Sequence, residues 1–305
     1  MFLKNVPVGV SDDGYLTKDG TKLVVYRTGE VKNGDRDILL HAGSLEAAQD
    51  RYYDYIFHMY RTNCADVYSS TSDYIHRVMD GLHEKRISAY HIKAQNPLYV
   101  ADTWDDDPIG SGGLSILGPS WPHLSQPMKS SFEKAFLGFR NPVYDEHVCG
   151  LERKSIKFMR KQIQGNPTYK ALFDERIDYI TNYRHDDKDA AQNREVVWMY
   201  MTQNFHTCCL KHGFDNLVYE NTSEGSRGDL SFVTFRPGQL IPTGEFYAFA
   251  ASIASQAIGH GDCEWQRNAQ GRTIGIRWNK DHSPWQRHAP GVPHHPSPIS
   301  PPPRP

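Results

Sequence analysis

Runs of alternating hydrophobic and polar residues give way to helical spacing several times along the chain. Thr21 to Arg27 (TKLVVYR) is β-branched and aromatic and is closed by Thr28-Gly29, which predicts a strand ending in a turn. Asp37 to His41 (DILLH) predicts a second short strand. From Ser44 the period changes: Ser44 caps a helix whose face carries Leu45, Ala48, Tyr52 and Tyr55. Asp73 to Arg86 sets Tyr74, Val78, Met79 and Leu82 on one helical face. Ser88 to Val100 alternates until Asn96-Pro97, the pattern of a strand leaving its sheet at a proline.

Acids, glycines and prolines from Asp105 to Gln126 predict a loop. Lys129–Phe139, Glu146–Gln164, Tyr169–Asn182 and Glu195–His212 have helical periods, with breakers at Asn141-Pro142 and Asn166-Pro167. Phe214 to Tyr219 and Ser231 to Phe235 predict strands joined by a polar loop, Glu220 to Gly228. Cys263 to Trp278 predicts a hairpin around Asn268 to Gly271. The tail from Pro290 is proline-rich and cannot build a core. The expected organisation is one domain over residues 1–289, a helical insertion at about 129–211, and a disordered tail at 290–305.

Composition narrows the classes. The formal net charge is −2, so no global field favours a polyanion, and nucleic acid is not the default partner. The basic stretch Arg153 to Lys161 reads as the solvated face of a helix. Cys64, Cys149, Cys208, Cys209 and Cys263 are odd in number and form no C-x-x-C pair, which argues against a disulfide framework or zinc ribbon. The N-terminus has no signal-peptide pattern, and the longest apolar run, Phe246 to Ile258, is roughly half a membrane span. The expectation is a soluble protein that acts in cytoplasm, with no metal site. His288, His294 and His295 stand among prolines without a helix to fix their spacing. His206, Cys208 and Cys209 fit a buried helix face, and His260-Gly261-Asp262 fits a turn.

Four stretches carry candidate chemistry. At the first strand end, Arg27 of Tyr26-Arg27-Thr28-Gly29 can fork onto a phosphate or ribose. In His41-Ala42-Gly43-Ser44, a flat ring can stack on a ligand and small residues allow close approach. The third stretch is Ala89 to Leu98, ending in Asn96-Pro97-Leu98. The fourth, Gly213 to Leu240, sets Glu220, Glu224 and Asp229 at a sheet edge, where a carboxylate can bind ribose hydroxyls and stabilise an oxocarbenium ion.

Taken in order, these stretches resemble the ADP-ribosyltransferase domains of phage and other mobile-element polyvalent proteins. Those carry an HFGT-and-alanine segment, an NPL strand, and a GYDGIVYxNxxE loop before a SYIVFDPxQI strand. The likeness covers roughly Leu23 to Thr243, apart from the helical block Lys129 to Lys211. It implies an α+β fold with a split β-sheet and an NAD cleft, and transfer of ADP-ribose from NAD to a macromolecular acceptor, with protein the expected class. It also suits a phage or secreted bacterial effector. By the likeness, Arg27, with Thr28 and Gly29, would hold ribose or phosphates; His41, with Gly43 and Ser44, would stand near nicotinamide; and Glu224 would be the acid of the NxxE loop, with Glu220 and Asp229 as alternatives.

The chain departs from the pattern in two places. It has Arg-Thr-Gly where many such domains have His-Gly, and Ser231 near the strand position of the catalytic glutamate. A second register, resembling pertussis-toxin-like arginine, serine and glutamate transferases, would use Ser70 of Ser70-Thr71-Ser72 in place of His41. The alternative function is a catalytically silent module of the same fold.

Overall fold

The computed structural model describes residues 7–29, 31, 38–52, 79, 81–82, 85–102, 113–138, 151–183, 188–221, 228–267, 273–279, 281 and 283–290. Its strands in chain order are β1 (Gly9–Val10), β2 (Leu16–Lys18), β3 (Thr21–Lys22), β4 (Val25–Thr28), β5 (His41–Ala42), β6 (Arg86–Ile92) and β7 (Pro97–Tyr99). They continue with β8 (Asn216–Glu220), β9 (Leu230–Thr234), β10 (Leu240–Phe249), β11 (Cys263–Arg267), β12 (Thr273–Trp278) and β13 (Trp285–His288). The helices used below are α1 (45–52), α2 (Gln126–Ala135), α3 (Arg153–Gln164), α4 (Pro167–Tyr183), α5 (Lys188–Lys211) and α6 (Ala251–His260). The protein is mixed α+β. Among the described residues, no helix is long and apolar enough to cross a membrane.

Two four-stranded sheets organise the molecule: sheet I in the order β13-β10-β6-β4, and sheet II in the order β5-β9-β8-β7. All pairings are antiparallel except β7 with β8. The sheets meet at one seam, where Tyr26 and Gly43 exchange backbone hydrogen bonds of 2.8 and 3.0 Å. Away from the seam they pack face to face: Val25, Tyr90, Ile92 and Leu240 of sheet I share a core with Ala42, Val218 and Phe232 of sheet II. The other face of sheet I buries Ile87, Phe249 and Trp285 against Ala48 and Tyr52 of α1 and Ala254 of α6.

The other face of sheet II, with Leu217 and Val233, is covered by the helical block. There α3 buries Ile156, Met159 and Ile163 at helical spacing, while Arg153, Lys154, Lys157 and Lys161 stay exposed, so the basic stretch is a solvated face. α5 lies between the sheet and the other helices. It buries Val196, Val197, Met201, Phe205 and Cys209 around most of its circumference and so lacks one clean apolar stripe. His206 and Cys208 are buried on it too.

Three local expectations change. Thr21 to Arg27 divides into β3 and β4, because Leu23 and Val24 leave one small sheet before β4 joins the next. Ser88 to Val100 divides as well: the proline does not end the sheet structure but opens β7, parallel to β8 in sheet II. A proline is tolerated there because β7 is an edge strand. The apolar run Phe246 to Ile258 divides between β10 and α6.

Candidate functional site

The seam is where the sequence candidates gather. Arg27 lies on β4, and its Nη1 donates to the carbonyl of His41 on β5 at 2.7 Å. The His41 ring meets β8: its Nδ1 lies 3.3 Å from the Tyr219 hydroxyl, and the two rings stand edge to face with centroids 6.5 Å apart. The Arg27 guanidinium thus meets the His41 backbone, while the His41 imidazole pairs with the Tyr219 phenol on the face of sheet II that carries Leu217 and Val233. All three side chains are only partly buried. The order of strands, β4 to β5 to β9 to β8, places them there, since each strand hands hydrogen bonds to the next.

Gly43 is buried at the seam, and a Cβ there would come within 2.6 Å of Ser231 Oγ. The absent side chain therefore makes room for Ser231, a protein neighbour. Ser231 is 4 % exposed, and its Oγ accepts from Asn221 Nδ2 at 3.1 Å. Ser44 caps α1, its Oγ accepting from the backbone N–H of Ala47 at 3.1 Å. Beyond Thr28, the backbone N–H of Gly29 donates to the Tyr52 hydroxyl at 3.3 Å, and that hydroxyl donates to the Arg86 carbonyl at 2.8 Å. Tyr52 stacks on Trp285 at 5.7 Å. Burial raises its pKa, so it stays protonated and ties α1 to two strand ends at neutral pH.

Tyr26, beside Arg27, meets Tyr247 edge to face at 5.8 Å. Burial above all, with Tyr247 and Glu245 nearby, pushes the Tyr26 phenol up to about 12. Glu245 itself accepts from Arg287 Nη2 at 2.6 Å.

Glu220 and Asp229 stand on the two arms of the β8–β9 hairpin. Glu220 ends β8 opposite Leu230, and the Asp229 carbonyl accepts from the Asn221 N–H at 2.8 Å. Glu220 is exposed and Asp229 half-buried. Glu220 follows Tyr219 on β8 and so takes the opposite face, the one that Val218 turns to the core between the sheets. Glu224 and Ser70 lie outside the described residues.

Two other motif segments prove to be joints. Gln239, 7 % exposed, accepts at Oε1 from the N–H groups of Phe235 and Arg236, both at 2.7 Å. Its Nε2 donates to the carbonyls of Lys93 at 3.0 Å and Asp215 at 2.9 Å. The Asp215 carboxylate in turn accepts from the N–H groups of Gln95 (2.7 Å) and Asn96 (2.9 Å), and Asn96 Nδ2 donates to the Gly213 carbonyl at 3.0 Å. The Gly-Phe-Asp-Asn, Gln-Asn-Pro and Arg-Pro-Gly-Gln segments therefore lock β6, β7, β8 and the β9–β10 turn together. Beside this joint lies an open depression of about 480 Å³, lined by Asp12, Lys93, Asp215 and Arg236 among others, at the end of β9 remote from Asp229.

Sequence reasoning passed over Tyr219, Asn221 and the hydroxyl of Tyr52 as site residues. Tyr219 had a legible signal, since it directly precedes a candidate acid on a strand. The Tyr52 bonds needed the fold. No protein-family model, curated protein or solved structure matches the chain.

Proposed function

We propose that the chain is a mono-ADP-ribosyltransferase that moves ADP-ribose from NAD to a macromolecular acceptor. The observation that carries the reading is the seam of two four-stranded sheets, where Arg27 binds the His41 carbonyl and, by strand alternation, shares the side between the sheets with Glu220 of β8. These are the residue types the reaction needs. A planar guanidinium binds phosphate or ribose oxygens in a fork, flat rings face nicotinamide, and a carboxylate stabilises positive charge on the ribose as the glycosidic bond loosens. In the reaction the bond from ribose C1′ to the nicotinamide nitrogen breaks and its electron pair leaves with neutral nicotinamide. A bond from C1′ to the acceptor forms, and the acceptor's proton passes to a carboxylate or to water. The residues at hand suit such a substrate, Arg27 as a planar cation and Glu220 as an exposed carboxylate.

Incubation of a cell lysate with the protein and labelled NAD tests this, read out by mass spectrometry of the labelled products. Wild type is expected to label an acceptor or release nicotinamide. Arg27→Ala and Glu224→Ala, with Glu220→Gln alongside, are expected to lose most of that turnover. Equal labelling by wild type and all three variants would reject the site assignment.

One observation favours a second reading, a silent module of the same fold. Ser231 stands buried against Gly43 and takes the Asn221 hydrogen bond, leaving no room at that strand position for a larger acidic side chain. Calorimetry separates the two, since an inert module gives no saturable heat with NAD.

A further inference from the structure

Opposite its buried Ile156, Met159 and Ile163, α3 turns Arg153, Lys154, Lys157 and Lys161 to solvent. Spacings of three and four residues set Lys157 beside Arg153, Lys154 and Lys161, with neighbouring Cβ atoms about 5–6 Å apart. Among the described residues, none of these four cations pairs with a carboxylate. The arrangement works against the helix twice. Like charges at these spacings repel one another. The first turn holds Arg153 and Lys154 and no acid, although the helix dipole favours acids there, and Glu152 before it makes no side-chain cap. A chain of net charge −2 thus gathers cations where its own helix gains nothing from them. A bound polyanion relieves both strains.

Phe158 stands within this ladder, four residues after Lys154 and three before Lys161. It is 55 % exposed, although its ring meets Tyr200 of α5 edge to face at 6.3 Å. Lysines that follow a phosphate backbone, next to a ring on which a base stacks, are the two parts of a single-strand binding surface. From Lys154 to Lys161 the helix rises about 10 Å at 1.5 Å per residue, the span of roughly two or three phosphates. A duplex keeps its bases stacked away from such a ring. A membrane would find little apolar surface on α3 beyond Phe158, since Ile156, Met159 and Ile163 are spent on the core.

We propose that the exposed side of α3 binds single-stranded nucleic acid, with Lys154, Lys157 and Lys161 on the phosphates and Phe158 against a base. The site lies on the helical block, needs no NAD, and stands apart from the transferase reading.

Fluorescence anisotropy tests it, with a short labelled strand, as DNA and as RNA, titrated with the full chain in the absence of NAD. Binding is expected to weaken as salt rises, with a log–log slope that shrinks by about 0.7 for each lysine changed to glutamine. Lys154→Gln, Lys157→Gln and Lys161→Gln together are expected to weaken it by about tenfold or more. Lys18→Gln, Lys93→Gln and Lys134→Gln together, three exposed lysines elsewhere, are expected to change it little. Phe158→Ala is expected to lose about tenfold with the salt slope unchanged, and Phe158→Tyr to keep the affinity. All these side chains are exposed, so the variants keep the fold, which thermal melts check. A preference for DNA or for RNA supports the proposal and names the strand. Equal or tighter binding of the matching duplex, of a polyglutamate peptide or of phosphatidylserine vesicles would overturn it. So would single-strand binding that is absent, or indifferent to the α3 lysines or to Phe158→Ala.

Discussion

Gly43 has no room for a side chain, because Ser231 Oγ occupies the volume that its Cβ would take. Gly43→Ala is expected to destabilise the fold by about 1–3 kcal/mol, the usual cost of overpacking a tight interior. Combining it with Ser231→Ala removes the clashing oxygen and is expected to recover part of that loss. Urea midpoints of the two single variants and the double variant measure the coupling, and strict additivity would contradict the account. His206 makes a second residue-scale case. It is buried on α5, bonded through Nδ1 to the Tyr169 hydroxyl and packed 4.7 Å from the Phe235 ring. Burial pulls its pKa down from 6.5 to about 4, so the folded protein holds the ring neutral. Between these values the unfolded chain binds a proton that the folded one does not. Its share of stability is therefore full above pH 6.5 and lost as pH falls toward 4, roughly 2 kcal/mol of it between pH 7 and pH 5. Urea unfolding at the two pH values is expected to show that difference in wild type and a smaller one in His206→Gln.

At the scale of elements, the segments that looked most like a signature divide between chemistry and carpentry. Gln239 answers four backbone groups at once and ties the β9–β10 turn to residues at the ends of β6 and β8. Gln239→Ala is expected to cost about 2–4 kcal/mol, because buried backbone groups lose their partner. Gln239→Glu should also be destabilising, since a carboxylate cannot donate to the Lys93 and Asp215 carbonyls. A thermal melt of each variant checks this, and a melt unchanged from wild type would mean that water replaces the amide. The same elements mark what the sequence made legible. β8 and β9 follow from short apolar runs, buried on both faces, and α3 follows from helical spacing with one buried face. β5 is two residues long, and β7 is an edge strand opened by a proline. Both owe their existence to partners far along the chain, which no local period records.

In the whole molecule, two sheets share one core, and a helical block closes the outer face of the second. The α+β class followed from the likeness of the four motif stretches, and the mixed strands and helices agree with it. The arrangement of the sheets was not legible, since the Tyr26–Gly43 seam is a tertiary event. The site divides in the same way: Arg27 and His41 stood out as chemistry-bearing residues at strand ends, whereas Tyr219 gained its place only from the register. The central claim is that the seam receives NAD. Hydrogen exchange with and without NAD, followed by mass spectrometry, tests it most directly. The account expects slower exchange in the segments around residues 25–29, 41–44 and 219–221. Unchanged exchange there, or protection confined to the depression beside Lys93 and Arg236, would contradict it.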